Sequence, residues 1–557
     1  MVQPTQSSSE LSKQHLVNNN IDSSSPQNPT TFLGIPMRAG ESATLGSPPL
    51  LKRHSTPIHL LPEEIFLEVV RLCISPDMPL RNRIALTWVC RRWKTILEGA
   101  ASFWSRISAA DGFPCIQKAL HLAKGVPLDL VYSDKGHGVS RGTFFNEVGD
   151  RIAQWRSLVA EFDGWSTPSP LANLGTIAAP KLVFLQLVNT TVTGNSTIPI
   201  TLFRGAPAPP SLKNLHITLI PVSVAPLHLS GLKSLTLQGV QTVSTTDILR
   251  ILVDSPEIQT LHLASLWSLD RPKPQTLHSE SAPTLIRLSA LCELLLENVP
   301  PSVTRYLLSS INTPNLHTLK LICEDSDRIT SEILTQDTFH LIPVLATMTT
   351  DAQEIDVSLS GYYHYHILVG RLVLGGWMED PPTNHVRSTV DWICNHLNNH
   401  LRNLPVHLSI TDSDPEIDYL DSFSSGLRVA KLTLWSDPYH GPRLEEFIPL
   451  LSQPTLSSPC GWILPNLEVI DANLILGEGN YDFVDLVRNR YCASIVHGES
   501  EPGSEVVAPR PFRELYLSSP LGSPSRYASR ISAFMQALHE AGDGIDLYWH
   551  GTKWIEG

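Results

Sequence analysis

Charge is scarce in this sequence, at 17% of residues, and it is not basic: 41 Lys and Arg face 54 Asp and Glu, a formal charge of -13. A general nucleic-acid binder needs a basic surface to displace counterions, so nucleic acid is not an expected partner, although a local basic patch stays open. Cysteine is sparse too. No two of the eight form a C-x-x-C pair, which leaves neither a disulfide framework nor a cysteine metal motif and favours reduced thiols. No run of about 18 apolar residues occurs, so no membrane span is expected. MVQPTQSSSE has no apolar core, so no secretory signal is expected and the sequons at Asn189 and Asn195 are chance matches. No glycine-rich phosphate loop stands out. The absences together leave a cytoplasmic or nuclear protein with no expected cofactor or metal.

What is present is apolar matter, 42% of 557 residues, enough for two to four domains or one elongated repeat protein. Residues 1–56 are rich in Ser, Asn, Gln, Pro and Thr and read as a disordered tail. From Ile58 the composition shifts. LLPEEIFLEVVRLCIS reads as a helix, with Pro62 in its first turn and Glu63 and Glu64 at the positive end of its dipole. Ile65, Val69, Leu72 and Cys73 form one stripe, and Phe66 and Val70 widen it. A second helix is expected from about Leu80 to Leu97, with Ala85, Val89, Trp93 and Ile96 on one face and Leu80, Ile84 and Trp88 on another. A short third carries Phe103 and Trp104. Three of the 12 Trp fall within 17 residues here. Some 50 residues make a small core, so several large apolar side chains should stay uncovered until a partner arrives.

The order LP-E-E-I, VCRRW, FW resembles the F-box over Ile58 to Ile107. In that family's pattern Leu61 and Pro62 open the first helix, Val89-Cys90-Arg91-Arg92-Trp93 close the second, and Trp104 ends the motif. SPDMPLRNRIALT departs from the family's short loop, as in large fungal F-box families. The resemblance implies binding of a Skp-type adaptor, and with it a cullin, through Leu61, Pro62, Ile65, Val89, Cys90, Trp93 and Trp104. Trp and Arg dominate interface hot spots, which suits this cluster.

After the box the template L-x-x-L-x-L recurs. It fits Leu182/Leu185/Leu187, Leu212/Leu215/Ile217, Leu232/Leu235/Leu237, Ile258/Leu261/Leu263, Leu291/Leu294/Leu296 and Leu316/Leu319/Leu321. Weaker copies are Ala352/Ile355/Val357, Val429/Leu432/Leu434, Leu467/Ile470/Ala472 and Phe512/Leu515/Leu517. A Pro often stands two residues before the first position. The good copies resemble leucine-rich repeats, units of a strand and a helix that complete their core only by stacking. Breaks are expected at 271–283, 377–387, 411–426 and 497–511.

Candidate chemistry is thin. Gly138-Val139-Ser140-Arg141-Gly142 matches the nucleophile elbow G-x-S-x-G, but SDKGH separates it from the strand LDLVY, and a polar loop is the better account. His364 and His366 share a strand face without an indicated third ligand, and His396 and His400 lack the Glu of H-E-x-x-H. Cys90 beside Arg91 and Arg92 reads as a small buried residue rather than an activated thiol.

The expected architecture is α/β: a disordered tail (1–56), a three-helix F-box (57–107), an α/β connection (108–175) and an irregular leucine-rich-repeat-like solenoid with a parallel sheet (176–557). The expected function, without catalysis, is a substrate-recognition subunit of an SCF-type (cullin-RING) ubiquitin ligase. The alternative is a repeat scaffold that joins no ligase. In each good copy the residue between the last two Leu positions should face the groove. That selects Gln186, His216, Thr236, His262, Leu295 and Lys320. His216, Thr236, His262 and Lys320 are the expected contacts to a protein target. As one cation and no acid, this set predicts a groove without strong charge.

Overall fold

The computed structural model describes residues 57–555 apart from 76–77, 136–137, 165–178, 192–199, 203–208, 224–228, 241–242, 267–284, 324–328, 361–363, 378–382, 412–426, 436–443, 455–460, 474–479, 499–508, 519–523 and 543. The expected disordered tail, the break at 271–283 and most of the other three breaks lie outside the described residues. The chain divides at Pro62 into two units. Of the first, the described part is one 3-10 turn, Pro57–Leu60, with Leu61 and Pro62.

The second unit is mixed α/β with a large, mostly parallel sheet. It opens with α1 (Glu63–Cys73), α2 (Leu80–Leu86) and α3 (Arg91–Gly99). The continuous second helix expected from Leu80 to Leu97 is therefore two. Thr87 ends α2 by donating its hydroxyl to the Ile84 carbonyl at 2.6 Å, a local bond that competes with helix continuation. Cys90 then turns extended (φ -161°) and caps α3, its Sγ accepting from the Trp93 N–H at 3.5 Å. Ala85 and Val89 thus do not share a helical stripe with Trp93 and Ile96.

These helices close on aromatic side chains. Phe66 meets Trp93 edge-on at 4.8 Å between centroids. Trp104 is fully buried and donates its indole N–H to the Leu97 carbonyl at 2.7 Å. Asp111 accepts from the Leu80 N–H at 2.5 Å and from the Ser108 N–H at 3.1 Å. The start of α2 is thereby tied to residues beyond the expected box.

The sheet also starts earlier than expected. Arg106–Ser108 pairs with Leu128–Ser133, that strand with Trp155–Phe162, and that one with Phe184–Asn189, all parallel. The segment expected as a connection thus supplies strands of the same sheet. Asn214–Thr218, Ser234–Gln238, Thr260–Ala264, Glu293–Glu297 and Thr318–Cys323 follow in chain order. The leucine template is written into the register: Leu185, Leu215, Leu235, Leu261, Leu294 and Leu319 stand side by side, all buried. The prolines have a local cause. Leu182, Leu212, Ile258, Leu316 and Leu467 each close a turn on the carbonyl three residues back, at 3.0–3.3 Å, with Pro at the turn's second position, where its fixed φ fits. Leu219, Gly239, Ser265 and Asn298 each follow a strand with φ between 50° and 62° and donate to the last or next-to-last residue of the neighbouring strand. Thr245–Asp254 and Pro301–Ser310 are helices between these strands.

Chain order then breaks. The neighbour of Thr318–Cys323 is Leu372–Trp377, not the expected Ile355–Ser360. His364–Val369 runs antiparallel between these two, and Ile355–Ser360 pairs onward with Val406–Thr411. Gly370 makes the hairpin possible: its φ is +61°, and a Cβ there would stand 2.4 Å from the Met348 carbonyl oxygen. Beyond it Val429–Trp435, Val469–Asn473, Glu514–Ser518 and Asp546–Trp549 continue in parallel, with Thr552–Lys553 folded back on the edge. The weak copies after residue 330 are therefore strands of this sheet.

Candidate functional site

Two surfaces stand out, one on the opening helices and one on the sheet.

On α1 the residues alternate between interior and solvent. Phe66 and Val70 are buried, whereas Ile65 is 51% exposed and Leu72 80%, with Val69 on the same outward stripe. In the turn between α2 and α3, Trp88 is 77% exposed and Val89 is also exposed. Isolated exposed apolar residues are ordinary, but five large ones in 25 residues form a feature. Of the residues expected to meet an adaptor, Pro62, Ile65 and Val89 are exposed and Leu61, Cys90 and Trp93 half-buried. Trp104 is fully buried and cannot itself touch a partner, so its contribution lies in holding the helices.

The sheet face opposite the buried leucines carries the second surface. His216, Thr236, His262, Leu295 and Lys320 are register partners on consecutive strands, so the four expected target contacts form one row. His216 Nε2 lies 2.9 Å from Thr218 Oγ1. The expectation of a face without acids is corrected here, because side chains two residues along a strand share a face. Glu297 lies on that face. Its Oε1 is 2.9 Å from Lys320 Nζ and 3.8 Å from His262 Nε2. His262 and Lys320 draw the Glu297 pKa down to about 2, against the opposing effect of burial. His366, on the reversed strand, lies across Gly375, where a Cβ would stand 2.7 Å from its Nδ1. Burial and then Lys320 lower its pKa.

Further along the face His407 is held from both sides, Nδ1 2.8 Å from Asp356 Oδ1 and Nε2 2.8 Å from Thr433 Oγ1. It borders a cavity of about 440 Å³, also lined by Lys431, Asp471, Glu514 and Tyr516. Tyr516 donates to Glu514 at 2.8 Å and stacks on Tyr548 with ring centroids 4.4 Å apart and planes 11° apart. Bonding to Glu514, aided by burial, pushes the Tyr516 pKa up to about 12. Sequence reasoning missed Glu297, Asp471 and Tyr516, and singled out His366 only beside His364 on one strand face. The available signal was position: Glu297, Asp471 and Tyr516 stand beside the last leucine position of their copies.

The catalytic and metal candidates have structural occupations. Ser140 caps the helix Arg141–Gly149, accepting from the Thr143 N–H. His396 ends the helix Thr383–His396 stacked on Trp392, so His400 does not follow it on one helix. Among the described residues no group of three His, Cys, Asp or Glu is placed to hold a metal ion, and no helix is long and apolar enough to cross a membrane. No protein-family model matches the chain, and no curated protein matches it.

Proposed function

We propose that this chain is the substrate receptor of a cullin-RING ubiquitin ligase, an F-box protein with a leucine-rich-repeat-like region. The opening helices bind a Skp-type adaptor, and through it the cullin. The sheet face holds a protein target near the ubiquitin-loaded enzyme, so the chain acts by raising effective concentration. Such a ligase works in the cytoplasm or nucleus.

The observation that carries this reading is the outward stripe Ile65, Val69 and Leu72 on α1, with Trp88 and Val89 in the turn before α3, within the stretch that runs from LP-E-E-I to VCRRW. A helix apolar on its solvent side as well as its core side is the half of an interface. The polar, ion-paired sheet face supports a partner read by side-chain contacts. The test is co-expression of the full chain with a Skp-type adaptor, followed by pull-down. The full chain is needed because Asp111 lies outside an excised 57–107 segment. Capture of the adaptor at micromolar concentration supports the reading. A folded chain that captures none leaves a repeat scaffold working outside any ligase.

A further inference from the structure

The cavity on the sheet face is lined by a carboxylate, Asp471. Asp471 is half-buried, at the register position between Thr433 and Tyr516. Among the described residues it makes neither a hydrogen bond nor an ion pair. Of the acids around it, Glu354 is exposed without a hydrogen-bond or ion-pair partner among the described residues, and the others are engaged. Glu514 accepts from Tyr516, Asp356 faces His407, and Glu468 pairs with Arg510. Four cations besides His407 line the cavity and none meets Asp471: Arg510 pairs with Glu468, Arg513 with Glu514, Arg428 donates to the Asn403 carbonyl, and Lys431 stays outside ion-pair distance, while both His407 nitrogens are taken. Burial raises the Asp471 pKa, and Lys431 and then His407 oppose the rise. A half-buried carboxylate without a donor has given up part of its hydration, so a donor that enters the cavity and bonds to it recovers that loss.

The surroundings say what would satisfy it. On one side stands the flat, stacked pair Tyr516 and Tyr548. Aromatic faces attract cations, and the planar guanidinium both stacks on a ring and gives two parallel N–H bonds to a carboxylate. The space, about 440 Å³, is within the range of ligand pockets. We infer that this cavity receives an arginine side chain of a protein target, stacked on Tyr516 and bonded to Asp471. The inference deepens the proposed function by naming the chemistry of the target, and it rests on the sheet face being the target surface.

The probe is N-acetyl-L-arginine N-methylamide, compared with its citrulline counterpart, which keeps the shape and loses the charge. Binding to the full chain is followed by ligand-observed NMR. The arginine probe should bind at least tenfold tighter than the citrulline one. Asp471→Asn should lose at least tenfold with an unchanged or higher melting temperature, because the carboxylate has no partner to lose. Lys431→Met should tighten binding by removing a competing cation. Equal binding of the two probes overturns the inference, and so does an Asp471→Asn chain that binds like the parent. An Asp471→Asn chain that unfolds also overturns it, since the carboxylate would then be structural. No adaptor enters this assay, so its failure is separate from a failure of adaptor capture.

Discussion

Replacing Ile65 and Leu72 together by Ala should leave the fold intact and strip adaptor binding. Both side chains point outward from α1, Leu72 80% exposed and Ile65 51%. Ala is the best helix former, so the substitution adds no helix penalty, and exposed positions of this kind cost below about 0.5 kcal/mol of stability. The loss on binding follows from area still free to be buried. Full burial of a Leu or Ile side chain is worth about 1.5–3 kcal/mol, so four-fifths of one and half of the other total about 2–4 kcal/mol. At about 1.4 kcal/mol per decade that is roughly 30- to 600-fold weaker binding. Phe66 supplies the internal control. It is 2% exposed, one residue from Ile65, and Phe66→Ala should cost about 3–5 kcal/mol of stability. Urea titration gives the stabilities and calorimetry with purified adaptor the affinities. A double alanine variant that binds the adaptor as the parent does, or loses more than about 1 kcal/mol of stability, refutes the assignment of this stripe to a partner.

Arg490 is fully buried and donates to the carbonyls of Leu451, Ile463, Leu464 and Pro465 at 2.9–3.5 Å. Arg490→Ala leaves at least the two nearest unmet and should cost about 2–6 kcal/mol, with Lys restoring only part; a urea-midpoint loss below about 1 kcal/mol contradicts this. Glu297 has a folded pKa of about 2 against an ordinary 4.5, so its contribution is present above about pH 4.5 and lost as pH falls toward 2. Glu297→Gln should remove that part of the acid dependence, about 1–2 kcal/mol after allowing for its partial exposure, read as a flatter stability-against-pH curve. Gly370→Ala puts a Cβ 2.4 Å from a carbonyl oxygen at φ +61° and should cost about 1–2 kcal/mol or more in the urea midpoint.

The leucines were legible because their spacing states both a turn and a strand. Pro fixes the turn, the first Leu closes it, and the next two alternate into the core, so periodicity alone placed Leu185, Leu215, Leu235, Leu261, Leu294 and Leu319. The early strands were not seen as part of the same sheet because LDLVYS and WRSLVAEF lack the leading Leu and the proline turn. They belong to it through hydrogen bonds to neighbours rather than through a repeated sequence. The break between α2 and α3 was hidden for another reason. Trp88, Val89 and Trp93 continue a plausible helical pattern, and only the side-chain bonds of Thr87 and Cys90 decide against it.

The same logic explains why the candidate site was only partly visible. The residue between the last two leucines of each good copy was read from sequence, which leaves out Asp471 and Tyr516, the residues at that position in two weaker copies. A strand shows its face every second residue, so the row one step further along is equally part of it. The strand register brings Glu297 and His366 into line with Asp471 and Tyr516, which hold the between-leucine position of their own copies. Taken together the rows change character along the sheet. The early strands offer His216 and His262, with Thr236 buried between them and the His216 pKa lowered by burial and then by His262. The middle holds the Lys320–Glu297 pair, and the late strands hold the tyrosine stack beside Asp471. A partner lying across this face would therefore meet hydrogen-bonding groups first, a closed ion pair next and an open carboxylate last. The open carboxylate is the position where one residue of that partner decides the most, because it is the only one of the three regions whose charge the fold leaves unmatched among the described residues.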